Sequence, residues 1–565
     1  MKKVKSLVKK LLGRNHTAPY TIDLVQRTST GFCIIGWYFT NDVSSLNIKA
    51  KNGTSVDTTL LKISRDDVFA VTNKKAAGFE LHVHTSDSTD QFYLIFETSN
   101  GSKQVTIPSP NGAIDEPDVK SKIESTTLNR SDVKAACEYA IETPTHFFVG
   151  GWVLDEKEAK SFYLVDRRNK TLATFEDGIR IQRKDIIETF GESSASRGAG
   201  LNYLFKKVED YSSETTGQHI RLCFTLNGKD VTVPVDTIYP ATQDSVTNAK
   251  RLLNAWQPSA PSHLKKADMF SQILRDAFPA TLTASAVRHD FNKQPSTPVA
   301  SLIIPLYGRY DFMRYQLSHF GRYKQTHNCE VIYVVDDPSI ANEVMKLARE
   351  MEIVSTQPFS VLQLSQNLGF GKANNIGVQY ANAEIIALIN SDILPKTTDW
   401  LDKLIDTARQ PDAGIVGARL LFEDESLQHD GMAPMTVNEY PGLLFNDHPK
   451  KGWPKSLAPF ESAVEPCPLI TAACWVMQKS LYQQLNGFDP EYVLGDFEDS
   501  DLCLRMLELG RTNYIRRDVE LYHLERQSQN LVPPGRWKHN ITILNAVYFN
   551  KKWKTTLEHM EKVNA

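Results

Sequence analysis

Short apolar runs alternate with amphipathic stretches from residue 299 onward, which is the pattern of buried strands separated by helices. Helices are predicted at about 310–323 and from Gly369 to Tyr380. The predicted strands are Val299–Leu306, Glu330–Val335, Ser360–Leu364 and Glu384–Ile389. Strands that alternate with helices form a mostly parallel sheet with right-handed crossovers, so we predict an α/β fold for this part of the chain.

Polar side chains follow each of these predicted strands. They are Tyr307, Asp336, Asn367 and Asp392. In sheets of this kind the ligand lies beyond the carboxyl ends of the strands. The pattern therefore predicts a binding site at this edge, where the four polar groups converge.

Two segments upstream share one order of short motifs, with small insertions. The first contains Gly36-Trp37 and Asn100-Gly101, and the second contains Gly151-Trp152 and Asn227-Gly228. Short β-rich runs and Asn-Gly turns predict a small antiparallel β-sandwich in each, and hence a tandem duplication. The predicted units span residues 16–108 and 133–238.

The role of these two units stays open from sequence alone. An exposed Trp could stack on a sugar ring, but Trp37 and Trp152 follow a Gly inside apolar runs and are predicted to be core residues. The alternatives to glycan binding are spacing, docking or dimerisation.

The remaining boundaries follow from composition. A partly helical connector is predicted at 239–298, and a catalytic domain with a helical tail at 299–565. Residues 1–15 form a basic amphipathic segment, because six basic and no acidic residues accompany an apolar face. That face consists of Val4, Leu7, Val8 and Leu11. Such a segment is either a contact for an anionic membrane surface or a solvated tail.

Composition narrows the class of protein. The 565 residues are 41% hydrophobic and 23% charged with a net charge of −3, so we expect a globular protein that does not bind nucleic acid. The seven cysteines form no CxxC pair, which favours buried thiols in a reducing compartment. No apolar run reaches the about 18 residues of a membrane span, and no secretory signal is visible, so a cytoplasmic location is expected.

An acidic cluster begins a predicted helix that ends near Gly510. Its four carboxylates lie within six residues, at Asp496, Glu498, Asp499 and Asp501. Acidic residues in a first helical turn are favoured by the helix dipole without any chemistry. Facing a cleft, the same cluster could hold a divalent cation or supply a general base.

The order of motifs in 299–528, about two-fifths of the chain, resembles a family 2 glycosyltransferase of the GT-A fold, which is Rossmann-like. The resemblance is to the bacterial branch that builds surface polysaccharides and includes rhamnosyltransferases. Each motif is short, and their order makes the match specific. The motifs are Leu302-Ile303-Ile304-Pro305-Leu306-Tyr307, Val334-Val335-Asp336-Asp337, Asn367-Leu368-Gly369-Phe370-Gly371-Lys372, Asn390-Ser391-Asp392, Gln428-His429-Asp430-Gly431, Asn486-Gly487-Phe488-Asp489, Glu498-Asp499-Ser500-Asp501-Leu502 and Tyr522-His523.

The resemblance implies roles for the acidic residues. Asp499 would be the general base that activates an acceptor hydroxyl, with Glu498 and Asp501 orienting it or binding the acceptor. Direct attack would invert the anomeric carbon. Asp392 and His523 would hold Mn²⁺ or Mg²⁺, although Asn390 stands where the family commonly has a first Asp, so metal affinity could be modest.

The resemblance also implies a nucleotide-sugar site. Asp336 would meet the nucleobase, and Lys372 could meet phosphate. His429 is a further candidate for donor or acceptor contact, and a packed loop histidine is the alternative. The nucleotide-sugar residues are Pro305, Tyr307, Asp336, Asn367, Lys372, Asn375, Asn390, Ser391 and Asp392.

The expected function is transfer from a nucleoside-diphosphate sugar to a glycan or lipid-linked glycan acceptor, at the inner face of the cytoplasmic membrane. Partners could include a second copy of the chain or other polysaccharide-assembly enzymes. Two alternatives stay open: a non-catalytic glycan-binding scaffold and a sugar nucleotidyltransferase. The second would need a Gly-rich basic signature after the first strand, where Leu306-Tyr307-Gly308-Arg309 is sparse.

Overall fold

The computed structural model describes strands between Tyr20 and Thr106, residues 134–524 with short gaps, and residues 536–564. The gaps are 156–158, 192, 194–197, 212–219, 257–263, 265 and 324–325. The predicted basic segment 1–15 lies outside the described residues.

The chain divides into two compact units, residues 1–116 and 117–565. The first unit contains two antiparallel sheets, of strand order β1-β2-β5-β4 and β3-β6-β7. Its strands are β1 (Tyr20–Thr28), β2 (Gly31–Phe39), β3 (Val43–Ala50), β4 (Asp57–Ser64), β5 (Ala76–His84), β6 (Phe92–Thr98) and β7 (Gly101–Thr106).

The second unit begins with a closed barrel of seven strands, in the order β10-β11-β12-β9-β8-β14-β13. These are β8 (Lys134–Glu142), β9 (His146–Leu154), β10 (Lys160–Val165), β11 (Thr171–Ile181), β12 (Gly200–Lys207), β13 (Arg221–Leu226) and β14 (Lys229–Tyr239), with helix α1 (Lys184–Phe190) after β11. The predicted β-sandwich is therefore wrong here. Sandwiches and barrels share the same in-out alternation along each strand, so the sequence pattern could not separate them.

Strand pairing follows one scheme in both predicted units. The pairs β1–β2, β2–β5, β5–β4, β3–β6 and β6–β7 recur as β8–β9, β9–β12, β12–β11, β10–β13 and β13–β14. In the barrel, β10–β11 and the parallel pair β8–β14 close the ring in addition. A duplication would give this recurrence.

The barrel interior is apolar and filled by side chains such as Phe147, Phe205 and Phe224. Trp152 is 1% exposed and packs with Ile186 and Ala199, as predicted for a core residue. A side chain that is this buried cannot stack on a sugar. The side chain of Trp37 lies outside the described part of the chain.

The predicted connector is part of the packed second unit. It contains helix α2 (Ser245–Ala255), helix α3 (Ala267–Ala277) and strand β15 (Ala286–Phe291). The Asp244 carboxylate caps α2 by accepting from the N–H groups of Val246 and Thr247. Strand β15 pairs antiparallel with the edge of the main sheet, so the connector and this sheet share one hydrogen-bonded framework.

The main sheet has eleven strands, with the path β15-β18-β17-β16-β19-β26-β21-β27-β20. Its central strands β18, β17, β16 and β19 are parallel, as predicted, while β26 runs antiparallel to β19. The strands are β16 (Ser301–Leu306), β17 (Glu330–Val335), β18 (Phe359–Leu364), β19 (Ile385–Ile389), β20 (Ile393–Pro395), β21 (Ala413–Leu421), β22 (Leu427–His429), β25 (Val464–Pro466), β26 (Cys474–Gln478) and β27 (Thr512–His523), and a separate hairpin pairs β23 (Ala433–Thr436) with β24 (Leu444–Asp447).

Helices cover both faces of this sheet. Leu302 and Ile304 of β16 enter one core, and Ile303 enters the other, which explains why the strand is continuously apolar. One face carries α4 (Phe312–Phe320), α5 (Ala341–Val354) and α7 (Trp400–Ala408), and the other carries α6 (Phe370–Gln379), α8 (Lys479–Gln484), α9 (Glu498–Glu508) and α10 (Arg536–Asn564).

Two sequence expectations bear on the described residues as a whole. The six cysteines described are buried, and they form no disulfide bond with one another. Of the described helices, none is both long and apolar enough to cross a membrane.

Candidate active site

The carboxyl ends of three neighbouring parallel strands define the candidate site. Strand β16 pairs with β17 on one side and β19 on the other. Tyr307 therefore lies between Asp336, which follows β17, and the Asn390-Ser391-Asp392 loop, which follows β19. This is the edge at which the sequence predicted that polar groups converge.

Asp336 anchors the glycine-containing loop that begins α6. Its two carboxylate oxygens accept from the backbone N–H groups of Leu368 (2.7 Å) and Gly369 (2.9 Å). Burial raises the pKa of Asp336 well above its usual range, and these two hydrogen bonds oppose the rise. A nucleobase that binds at Asp336 would therefore contact a carboxyl group that is already hydrogen-bonded to this loop.

Gly369 lets the loop approach the segment that precedes the acidic helix. Its φ is +80°, and a Cβ atom there would lie 2.9 Å from the Cα of Leu494. The next residue, Phe370, donates its N–H to the carbonyl of Leu494 at 3.0 Å. Only glycine adopts this backbone and leaves this space, so the loop and the acidic segment are joined at this point.

The acidic segment is strained. Leu494, Asp496 and Phe497 have φ values of 62°, 75° and 72°, a left-handed conformation that residues with a Cβ seldom adopt. Backbone strain of this kind costs about 1–3 kcal/mol per residue and clusters at functional sites. Helix α9 begins directly afterwards, at Glu498.

Asn545 of α10 holds the strained segment in place. Its Nδ2 lies within hydrogen-bond distance of the carbonyls of Val493 (3.1 Å), Gly495 (2.5 Å) and Asp496 (3.2 Å). Its Oδ1 accepts from the N–H of Val493 at 3.3 Å. Nothing near the acidic motif in sequence signals this contact, because α10 lies about fifty residues downstream.

Glu498 and Asp499 are adjacent carboxyl groups, of which Glu498 is buried and Asp499 is half-buried. Glu498 is 6% exposed, and its Oε2 has no hydrogen-bond partner among the described residues. Burial first, and then Asp499 and Asp496, raise the pKa of Glu498 well above its usual range. Both effects favour the protonated form of the Glu498 side chain.

Asp499 is tuned toward neutral pH. Burial raises its pKa to about 6, although its oxygens accept from the N–H groups of Ser500 (2.7 Å) and Ala472 (3.3 Å). A carboxylate with a pKa near the working pH is suited to accept a proton from a substrate.

Asp501 serves a different purpose. It is fully buried and accepts from Trp553 Nε1 (2.8 Å) and Arg505 Nε (2.7 Å), and Lys552 Nζ lies 2.7 Å away. These partners tie α9 to α10. The Asp501 side chain therefore lies in an ion network between α9 and α10, apart from Asp499.

Asp392 and His523 lie together beyond β19. His523 Nε2 is 3.3 Å from Asp392 Oδ1, and His523 Nδ1 donates to Gln428 Oε1 at 2.6 Å. Because an amide oxygen only accepts, this bond places a proton on Nδ1, and Nε2 is the ring nitrogen that faces Asp392. Gln428 belongs to a motif that the sequence showed, but its role was not predicted.

Asn390 completes this group. Its Nδ2 is 3.4 Å from His523 Nε2, while its Oδ1 is buried without a hydrogen-bond partner in the described residues. The backbone N–H of Asn390 donates to the carbonyl of Ala473 at 2.9 Å. Ala472, one residue away, is the partner of Asp499. The Asp392 group and the acidic helix therefore contact two adjacent residues, Ala473 and Ala472, of one stretch of chain.

Other predicted site residues lie elsewhere. Lys372 is buried, donates to the carbonyl of Pro279 at 2.6 Å, and has a pKa lowered by burial to about 8. Asn375 bonds both backbone groups of Phe488. Asn367 caps its own loop at Gly369 N–H. The half-buried Pro305 lies in β16 two residues before Tyr307, and the half-buried Ser391 directly precedes Asp392.

His429 lies in the core rather than in the cleft. It is 1% exposed, and its Nδ1 is 3.0 Å from Nδ1 of His448. Burial lowers the pKa of His429 well below its usual value. This geometry matches the packed histidine that was one of the two predicted alternatives.

Comparison with known proteins finds a family match over part of the chain. Residues 301–482 match the family model described as Glycosyl transferase family 2. This match confirms the predicted resemblance of the segment to a family 2 glycosyltransferase domain. Sandwich-like or barrel units upstream lie outside the matched residues.

Curated relatives match part of the chain. The O-antigen biosynthesis protein RfbC of Myxococcus xanthus is 25% identical over 244 residues, which is 41% of this chain and 18% of that protein. The dTDP-rhamnosyl transferase RfbF of Shigella flexneri is 26% identical over 199 residues, 35% of this chain and 60% of that protein. The chain thus spans less than two thirds of the length of either relative.

A solved structure, the mannosyltransferase PcManGT from Pyrobaculum calidifontis in complex with GDP-Man and Mn²⁺, aligns with a TM-score of 0.30 and 13% identity. The alignment covers 52% of this chain and 81% of that one.

Proposed function

We propose that this protein is a glycosyltransferase that moves a sugar from a nucleoside-diphosphate sugar to a hydroxyl of a growing bacterial surface glycan. The observation that carries the proposal is the Asp499 carboxylate, tuned to a pKa of about 6 next to the Asp392–His523 pair in a family 2 domain. The names of the relatives RfbC and RfbF support polysaccharide synthesis as the setting.

Asp499 acts as the general base in this proposal. An acceptor hydroxyl becomes a competent nucleophile as its proton leaves, and Asp499 takes that proton. Burial and the neighbouring carboxyl groups favour the protonated form of Glu498, which limits the negative charge beside Asp499. Asp501 keeps α9 in place through its contacts with α10. Direct attack of the acceptor oxygen on the anomeric carbon inverts its configuration, and no covalent enzyme intermediate is required.

The donor nucleotide lies along the carboxyl edge between Asp336 and Asp392, with Tyr307 between them. Pro305, Asn367, Lys372, Asn375 and Ser391 shape this edge or the α6 loop beside it. The nucleotide, sugar, acceptor and linkage are left to experiment.

The residues beyond β19 fit a divalent cation. Asp392 supplies a carboxylate oxygen, His523 an imidazole nitrogen whose tautomer Gln428 sets, and Asn390 a buried amide oxygen without a partner. The described ranges hold no group of three or more Asp, Glu, His or Cys side chains placed to bind a metal ion, so oxygens of the sugar-nucleotide donor would complete the coordination. Mn²⁺ or Mg²⁺ bound here would offset the charge of the departing diphosphate.

We further propose a location at the inner face of the cytoplasmic membrane, where lipid-linked acceptors lie. The basic segment 1–15 would provide the contact, and other assembly enzymes or a second copy of the chain could add to it. The barrel and the strands before it would space or dock the catalytic part, or bind glycan.

The alternatives are a glycan-binding scaffold and a sugar nucleotidyltransferase. A scaffold has no need for a base tuned to neutral pH at a strained helix start, which disfavours that reading.

The test is a screen of the purified full chain against a panel of nucleotide sugars, with Mn²⁺, Mg²⁺ or chelator. We expect metal-dependent release of nucleoside diphosphate from one donor, accelerated by a glycan acceptor. A folded protein that releases none, with every donor and either metal, would contradict the proposal.

A further inference from the structure

Lys250 is a buried cation at the carboxyl edge, contributed by the connector helix α2 from outside the family 2 segment. It is 3% exposed, and its Nζ donates to the hydroxyl of Tyr307 at 2.7 Å. The same Nζ lies 4.7 Å from the centroid of the Trp537 ring and 5.3 Å from that of Tyr307. The ring of Trp537 and the hydroxyl of Tyr307 thus flank the ammonium, which lies beyond the hydroxyl end of the Tyr307 ring.

No carboxylate of the described residues lies within 4.0 Å of this ammonium, by contrast with a buried lysine of the barrel. Lys207 Nζ is 2.8 Å from Glu142 Oε1. A buried cation without an ion partner is unfavourable in the free protein, and burial lowers the pKa of Lys250. Asp244 and Asp337 act on it only at longer range. An anion bound near Lys250 would supply the negative charge that this ammonium lacks.

The partner of Lys250 is the residue at the middle of the candidate donor site. Tyr307 directly follows β16, between the strands that lead to Asp336 and to Asp392. The residue is 40% exposed, and its hydroxyl accepts from Lys250. Burial of that hydroxyl raises the pKa of Tyr307 to about 12, so it stays neutral. Lys250 thus holds the hydroxyl end of a side chain that remains partly exposed.

We propose that Lys250 is a positioning residue of the donor site, which fixes Tyr307 and supplies positive charge for the diphosphate of a nucleotide. This inference rests on the proposed function. It assigns to the connector a part of donor recognition that the matched family segment does not contain, since α2 precedes residue 301.

A role of Lys250 through its charge and a role through Tyr307 alone predict different effects on ligands of different charge. If Lys250 only fixed Tyr307, its loss would weaken a nucleoside, its monophosphate and its diphosphate alike. If its charge acts on phosphate, the loss grows with the charge of the ligand. We expect about tenfold weaker binding of the diphosphate, about threefold for the monophosphate, and little change for the nucleoside.

The experiment uses isothermal titration of the full chain with UDP, GDP and dTDP, with their monophosphates and nucleosides, in Mg²⁺. Lys250→Met removes the charge and the hydrogen bond, and Lys250→Gln keeps a donor without the charge, which guards against misfolding of the first variant. The matched control is Arg251→Met, because Arg251 is the next residue of α2 and donates to the carbonyl of Pro240 instead of to Tyr307.

The expected result is a loss that increases from nucleoside to diphosphate in both Lys250 variants and not in the control. Equal affinities in wild type and both Lys250 variants, or an equal loss for all three ligands, would overturn this inference alone. Failure of the wild-type chain to bind any of the three diphosphates would overturn the proposed function with it.

Discussion

Two equally buried glutamates show how the barrel differs from the catalytic edge. Glu142 of the barrel is 7% exposed, and it accepts from Lys207 Nζ at 2.8 Å and from the Tyr211 hydroxyl at 2.6 Å. Glu498 at the start of α9 is 6% exposed, and one of its oxygens has no partner among the described residues.

In the proposed function, the difference separates a carboxylate that stabilises the fold from one that lies beside the general base. A buried charge with a cation and a hydroxyl is compensated, whereas a buried carboxyl next to another carboxyl is not, and it raises the energy of the fold. Strain at 494–497 adds to that cost in the same place. Unpartnered polar groups, raised carboxyl pKa values and left-handed residues together mark the edge as the functional region.

The largest effect is expected at Asp392. Asp392→Ala should lower sugar transfer by about 10³-fold or more, because it removes the carboxylate proposed to hold the cation that offsets the departing diphosphate. Steady-state kinetics at saturating Mn²⁺ measure this. The barrel control is Asp166→Ala, since Asp166 is 6% exposed and accepts from the N–H groups of Arg168 and Lys170.

That control should lower the melting temperature and leave turnover per folded molecule unchanged. Unchanged transfer in Asp392→Ala, or full activity of the wild type in excess chelator, would contradict the proposed metal site.

We expect kcat/KM to fall about tenfold per pH unit on the acidic side of the pH profile. Asp499 must be ionised to accept a proton, so kcat/KM should fall as pH drops below its pKa of about 6. The residual activity of Asp499→Asn should lack this limb. A profile that is flat from pH 5 to 7 in the wild type, or identical in the variant, would remove Asp499 from the role of base.

A smaller effect is expected from Asn545, which holds the strained segment before the base. Asn545→Ala should reduce kcat about fivefold to tenfold with KM for the donor nearly unchanged, because misplacement of a catalytic group weakens catalysis more than ground-state binding. Asn550→Ala is the matched control, since Asn550 on the same helix bonds both backbone groups of Leu444 in the β23–β24 hairpin. Equal losses in both variants would mean that α10 contributes only stability.

The smallest effect on turnover is expected from residues 1–14. Their removal should weaken salt-sensitive binding to anionic vesicles, at up to about 1 kcal/mol per basic residue, and leave transfer to a soluble acceptor analogue unchanged. Vesicle flotation with and without the segment measures this. Equal vesicle binding of both forms would mean that the segment is a solvated tail.

Sequence patterns predicted the catalytic sheet better than the units before it. The apolar runs that became β16, β17, β18 and β19 are buried on both faces, and only a parallel sheet with helices on each side explains such runs. The barrel was missed because closure depends on two pairings, β10–β11 and β8–β14, that alternation cannot show.

The site was predictable where the residues follow strands, as at Asp336 and Asp392. It was not predictable where side chains come from distant helices, as with Lys250 and Asn545. The acidic sequence motif contains both Asp499 and Asp501 and predicted one shared site. Residues two apart on a helix point in different directions, however, and the Asp501 side chain points toward α10.

The most direct test sets Asp499→Asn beside Glu142→Gln, since each replaces one carboxylate by its amide. Asp499 has a folded-state pKa of about 6, above the value of an unfolded chain, so its charge destabilises the fold at pH 8. The amide should therefore raise the melting temperature at pH 8, with a gain that disappears below about pH 4, while turnover falls at least about 10²-fold.

Glu142→Gln should do the opposite, because Lys207 would lose its buried ion partner: the melting temperature falls and turnover per folded molecule is kept. Thermal unfolding at pH 8 and at pH 4, measured beside kcat, gives both readings from one pair of proteins. The account predicts opposite signs in the two variants. Near-normal turnover in Asp499→Asn, or loss of stability and activity together in both variants, would contradict it.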